Sequence, residues 1–116
     1  MKHVFLWIAI LGVGVGAAPW AQAAGDAASN YSSLCAMCHG PNGKGNGQAA
    51  AALNPKPRDF SDCKEMAKDS DETLFKAIKG GSQSIGRSAM MPSWGAALTD
   101  QQIHELVSYV RAFCKK

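Results

Sequence analysis

The stretch Cys35-Ala36-Met37-Cys38-His39 constrains this chain more than any other. Two thiols three residues apart, with an imidazole directly after the second, are what covalent haem attachment needs. The thiols add to the two vinyl groups, and the histidine reaches the iron from the same side. On a helix, positions 35 and 38 share a face and 39 lies one turn beyond 35. Two other chemistries use a Cys-x-x-Cys: a redox-active dithiol and half of a tetrahedral zinc site. Neither needs the adjacent histidine. The dithiol also wants alternating strands and helices around it, and zinc wants a second close pair, whereas Cys63 and Cys114 lie far apart. The motif therefore reads as a c-type haem site.

The amino terminus points to export. Met1-Lys2-His3 is followed by the uncharged apolar run VFLWIAILGVGVGAA at 4–18, then by Pro19 and Ala21-Gln22-Ala23. That is the three-part plan of a secretory signal peptide, with small residues before the cut, and cleavage is expected after Ala23. The alternative is an uncleaved membrane anchor. Against it stand Gly12, Gly14, Gly16 and Pro19, and an apolar core shorter than the roughly 20 residues of a spanning helix. Residues 1–23 are thus expected to be a leader and 24–116 a single domain, located in the oxidising periplasm, where covalent haem attachment takes place in bacteria.

A chain this short buries a modest fraction of its surface, so a haem wrapped in side chains would complete the core. Without Lys2 the chain carries 11 Lys plus Arg against 9 Asp plus Glu, a formal +2. That balance is too weak to imply nucleic acid. The bases from Lys44 to Arg87 are interleaved with Asp62, Glu65, Asp69, Asp71 and Glu72, the pattern of an ordinary solvated surface. Once two cysteines are assigned to haem, Cys63 and Cys114 remain. A disulfide between them would close a loop of about 50 residues and stabilise the fold by roughly 4 kcal/mol. Two separate buried thiols fit equally well, because free cysteine packs as a small hydrophobe.

Along the domain, Tyr31, Leu34 and Cys38 arrive at helical spacing, so a helix from about Asp26 delivers both thiols. The glycines and proline of 40–47 stop it, and with no Gly-Lys-Ser/Thr ending they are no phosphate loop. Gln48–Leu53 reads as a turn of helix before Asn54-Pro55-Lys56-Pro57 forces extended chain. A ligating histidine usually donates its second ring proton to a carbonyl; Pro55 or Pro57 could present that carbonyl, and simple loop punctuation explains the prolines equally well. Ser61–Ala67 reads as a short helix. A longer one follows, capped by Ser70 or Asp69, carrying Leu74, Phe75 and Ile78 on one side and ending at Gly80-Gly81.

The aperiodic stretch 82–98 holds Met90-Met91-Pro92-Ser93-Trp94. A loop that long in a small domain usually has a job. A thioether is a soft ligand for haem iron, raising its potential and closing the sixth site. Met91, held by Pro92, is the first candidate for that ligand and Met90 the second. Met37 and Met66 are expected to pack, as is Trp94. Thr99-Asp100-Gln101-Gln102 is a capping box opening an amphipathic helix of about four turns through Ile103, Leu106, Val107, Val110 and Phe113. His104 falls on the flank of its apolar stripe, facing solvent.

These residues together resemble the class I cytochrome c family. The resemblance rests on Cys35-x-x-Cys38-His39-Gly40, on Met91-Pro92 in a late loop, and on the closing helix Leu98-Thr99-Asp100-Gln101-Gln102-Ile103 with Leu106-Val107-Ser108-Tyr109-Val110, and it covers 25–114. It implies an all-α fold of three to five helices wrapped around one covalent haem c. The first and last helices would cross beside the haem, with Tyr31 and Tyr109 as crossing aromatics. It further implies six-coordinate low-spin iron and one-electron transfer between periplasmic protein partners, a donor and an acceptor, with a membrane oxidase or reductase among the candidates. Adjacent Met90 and the Cys63/Cys114 pair depart from the family pattern.

No catalytic constellation is present in the sequence: no histidine or arginine pair is placed to cleave a peroxide. The expected function is therefore a non-enzymatic electron carrier with no small-molecule substrate. Two alternatives stand beside it. One is a ligand-binding or weakly catalytic haem protein with an open sixth site, and the other is a haem subunit of a larger oxidase or dehydrogenase.

Overall fold

The structure is a computed structural model that describes residues 11–14, 16 and 27–115. Most of the expected leader, including its cleavage after Ala23, lies outside the described residues. Among those described, no residue is in a strand and no helix is long and apolar enough to cross a membrane. Among the described residues four helices carry the fold, as an all-α reading requires.

The first, α1, is helical over 27–39, with a π-helical stretch at Tyr31–Cys35 and a final α-turn at Ala36–His39. It ends where expected. Gly40 has φ 82°, a backbone region that L side chains rarely occupy, and a Cβ there would run into Asn46. The glycine-rich loop then folds back over the end of the helix. Amides of Gly45, Gly47 and Ala49 donate to the carbonyls of His39 (2.8 Å), Cys38 (3.0 Å) and Met37 (2.9 Å), which a helix end leaves without intrahelical partners. A 3-10 turn follows at Ala50–Ala52.

Helix α2 is only Cys63–Met66, shorter than the expected Ser61–Ala67. Asp62 caps it by accepting from the amides of Lys64 (3.1 Å) and Glu65 (3.2 Å). Helix α3, Asp71–Gly80, is capped by Ser70, whose hydroxyl accepts from the Thr73 amide at 3.1 Å. Asp69 is left for another task. Helix α4, Asp100–Arg111, opens with the reciprocal Thr99/Gln102 capping box and passes into a 3-10 turn at Ala112–Lys115.

One buried cluster holds these parts together. Tyr31, Phe60 and Met66 pack with Leu74 and Ile78 of α3, with Ile103, Leu106, Val107 and Val110 of α4, and with Leu98 and Phe113. Each large apolar side chain so removed from water contributes about 1.5–3 kcal/mol. The first and last helices meet through aromatic rings: Tyr31 lies 5.1 Å from both Tyr109 and Phe113, centroid to centroid. Tyr31 is 2% exposed, and its hydroxyl donates to the Gly40 carbonyl at 2.7 Å. The crossing pair expected at Tyr31 and Tyr109 is present, with Phe113 as a third ring.

Candidate functional site

Cys35 and Cys38 are carried on the last turns of α1, and both are half-buried. Burial pushes the Cys35 thiol up to about 11, with a smaller contribution from Cys38 beside it. A redox-active dithiol requires the opposite shift, toward the thiolate. Nor do the donors converge: among the described residues, no three His, Cys, Asp or Glu side chains gather around one point as a zinc site requires.

His39 is buried at 9% exposure. Its Nδ1 donates to the carbonyl of Arg58 at 3.1 Å, and its ring stacks on Phe60 with centroids 4.3 Å apart and planes 17° from parallel. The candidate acceptor, Pro55 or Pro57, is corrected to the residue after Pro57. The Pro57 carbonyl is pressed instead against Gly45, where any Cβ would collide with it. Burial pulls the His39 imidazole below its ordinary pKa, opposed by the bond to the Arg58 carbonyl, so the ring is neutral at pH 7. With Nδ1 engaged, Nε2 carries the lone pair.

The partners of His39 are themselves held. The amide of Phe60 donates to the Gly43 carbonyl at 2.6 Å. The Arg58 guanidinium donates to the Glu65 carbonyl at 3.0 Å and reaches the Asp69 carboxylate at 3.2 Å. Asp69, 8% exposed, also receives both terminal nitrogens of Arg87, at 2.7 and 2.9 Å. Hydrogen bonding from Arg87, helped by the charges of Arg58, Arg87 and Arg111, holds this carboxyl below the usual range against the opposing effect of burial. Arg58, Phe60 and Asp69 had no periodicity or spacing in the sequence that marked them as parts of a site.

Arg87 begins the methionine loop. That loop is anchored along the end of α3: the amides of Trp94 and Gly95 donate to the carbonyls of Ile78 (2.9 Å) and Lys79 (3.0 Å), and the Ser82 amide donates to the Met91 carbonyl (3.3 Å). The orphan carbonyls of α3 thus pin the segment that carries both candidate thioethers. The two residues differ in setting. Met91 is half-buried and packs against the central cluster, as do Cys35 and Trp94, whereas Met90 is 51% exposed. Met66 is core at 1% exposure, but Met37, expected to pack, is 56% exposed on the outer side of α1. His104 is exposed and stacks on Phe75 at 4.3 Å.

Two half-buried thiols on one helix, a neutral buried imidazole held from its Nδ1 side, and a thioether on a pinned loop make a donor set that fits a covalent haem. The comparisons with known proteins agree. The family described as Cytochrome C oxidase, cbb3-type, subunit III matches residues 22–110. The Cbb3-type cytochrome c oxidase subunit FixP of Azorhizobium caulinodans is 32% identical over 96 residues, covering 82% of this chain and 29% of that relative. The chain thus spans less than a third of that relative's length. Among solved structures, the KustC0563 c-type cytochrome superposes with a TM-score of 0.62 at 31% identity, over 75% of this chain and 95% of the other.

Proposed function

The chain belongs to the cytochrome c family described as cbb3-type oxidase subunit III and is a haem electron-transfer protein with covalently bound haem c, and from that premise we propose that it serves as a periplasmic monohaem one-electron carrier. In this reading Cys35 and Cys38 form the thioether bonds, His39 is the proximal iron ligand and Met91 the distal one. When bound, the haem supplies an iron that accepts and returns one electron.

The chain's own residues set the conditions for that exchange. The Arg58 carbonyl fixes the His39 tautomer and leaves the Nε2 lone pair as the one that would bind iron, with its basicity raised. Phe60, stacked on the ring, limits its rotation. Met91, on a loop pinned through its own carbonyl and the nearby Trp94 amide, would hold the iron through its thioether and keep water and gases from it. A thioether there also favours the reduced state. The single observation that carries the reading is the buried His39 held at Nδ1 by the Arg58 carbonyl, directly after the second thiol. The test is the optical spectrum of the haem-loaded protein, ferric and ferrous, with carbon monoxide added to the latter. The expected wild type is low-spin, has the weak ferric methionine band and ignores carbon monoxide. Met91→Ala loses these traits and Met90→Ala keeps them. A wild type that binds carbon monoxide readily would instead favour an open-site haem protein.

The family description and the FixP relative favour a second reading, in which this domain hands electrons on within an oxidase assembly. Co-purification with a membrane oxidase that survives about 0.5 M salt, where electrostatic docking is screened, would favour the subunit. A protein recovered alone from the periplasmic fraction would favour the free carrier.

A further inference from the structure

We propose that Cys63 and Cys114 form an intramolecular disulfide that staples α2 to the C-terminal 3-10 turn. The two cysteines are 51 positions apart in sequence, yet the Cys63 sulfur lies 2.6 Å from the main-chain carbonyl of Cys114. Cys63 is the first residue of α2 and exposed, and Cys114 is half-buried in the turn Ala112–Lys115. The Cys63 thiol is thus seated on the main chain of the very residue that carries the second thiol, which also raises its pKa.

The surrounding contacts bring these elements together without the bond. Arg111, one turn before Cys114, donates to the carbonyls of Met66 (2.6 Å) at the end of α2 and of Asp69. Arg111 and Cys114 therefore contact α2 at its two ends, which holds the two cysteines' segments side by side. The competing thiols, Cys35 and Cys38, are on α1 and are claimed by the haem reading. Phe113, next to Cys114, packs on Tyr31 and stacks over Phe60, whose other neighbour is His39. The staple thus secures the segment that backs the proximal histidine.

The bond forms by exchange with a solvent-borne disulfide. The thiolate of the exposed Cys63 attacks one sulfur of the reagent and releases the first small thiol, leaving a mixed disulfide. The Cys114 thiolate then attacks the Cys63 sulfur and releases the second. Two electrons pass to the reagent, and the protons given up by Cys63 and Cys114 leave on the two small thiols.

The experiment uses the haem-loaded full chain, reduced and then treated with oxidised glutathione, unfolded with a thiol-blocking reagent and digested with trypsin without reductant. The expected product is fragment 59–64 joined to fragment 112–115, released by reductant. Recovery of the two fragments separately, whether blocked or each carrying glutathione, overturns the proposal, as does linkage found only between two chains. The unfolding midpoint of the oxidised wild type is expected about 10 °C or more above that of the reduced form, with the difference abolished in Cys63→Ser. Equal midpoints for the two wild-type forms overturn the staple. The fragment map reads Cys63 and Cys114 whatever Cys35 and Cys38 are bonded to, so it fails or succeeds independently of the carrier reading.

Discussion

His39 owes its chemistry to three contacts, only one of which is local in sequence: the Gly40 turn beside it, the Arg58 carbonyl on Nδ1 and the Phe60 ring against its face. Tyr31 is a parallel case on the same helix. Its buried hydroxyl satisfies the Gly40 carbonyl at the point where α1 must stop. Tyr31→Phe keeps the ring packing but leaves that carbonyl without its donor, and an unpaired buried acceptor costs about 1–2 kcal/mol. Urea unfolding is expected to record that loss as a lower midpoint with an unchanged slope. The histidine itself was legible because the motif is contiguous. The carbonyl it bonds was misplaced by one residue, since the direction of each carbonyl in an extended Pro-rich strip depends on what packs beside it, here Gly45.

At the scale of elements, helix ends were the best-read features. The Thr99/Gln102 box and the Ser70 cap need only residues within one turn, so composition at fixed offsets identifies them. Thr99→Ala is expected to cost about 1 kcal/mol in chemical unfolding, because the Gln102 amide loses its acceptor at the start of the best-packed helix. The π-helical stretch Tyr31–Cys35 was not foreseen: YSSLC carries no local preference for it, and the widening accompanies a Tyr31 ring that packs between Tyr109 and Phe113. The methionine loop read as aperiodic because its order comes from the last carbonyls of α3, which a sequence pattern does not display.

Across the whole molecule, Asp69 joins segments that are remote in the chain. Its carboxylate binds Arg58, whose carbonyl receives His39, and Arg87, at the start of the methionine loop, while its carbonyl receives Arg111 of α4. Asp69→Asn leaves two guanidinium groups short of their counter-charge, and because both arginines are partly exposed the cost is about 1–2 kcal/mol. Thermal unfolding is expected to show that loss, with the ferric methionine band weakened at the same time. The wild-type pH dependence follows from the lowered folded pKa. The contribution of Asp69 is complete above the ordinary Asp value of about 3.9 and is lost as pH falls through the lower folded value. Acid unfolding of the wild type should therefore steepen below about pH 4, and Asp69→Asn should remove that part of the slope.

Sequence by itself displayed the Cys35-x-x-Cys38-His39 motif and determined the helix caps, the glycine stop and the all-α class, because each depends on residue types at short fixed spacing. Tertiary structure alone decided which carbonyl holds His39, why Met91 rather than Met90 meets the core, and that Asp69, Cys63 and Cys114 find partners far along the chain. Those contacts arise only when helices pack and bury groups that must then be satisfied, and no local pattern encodes the partner.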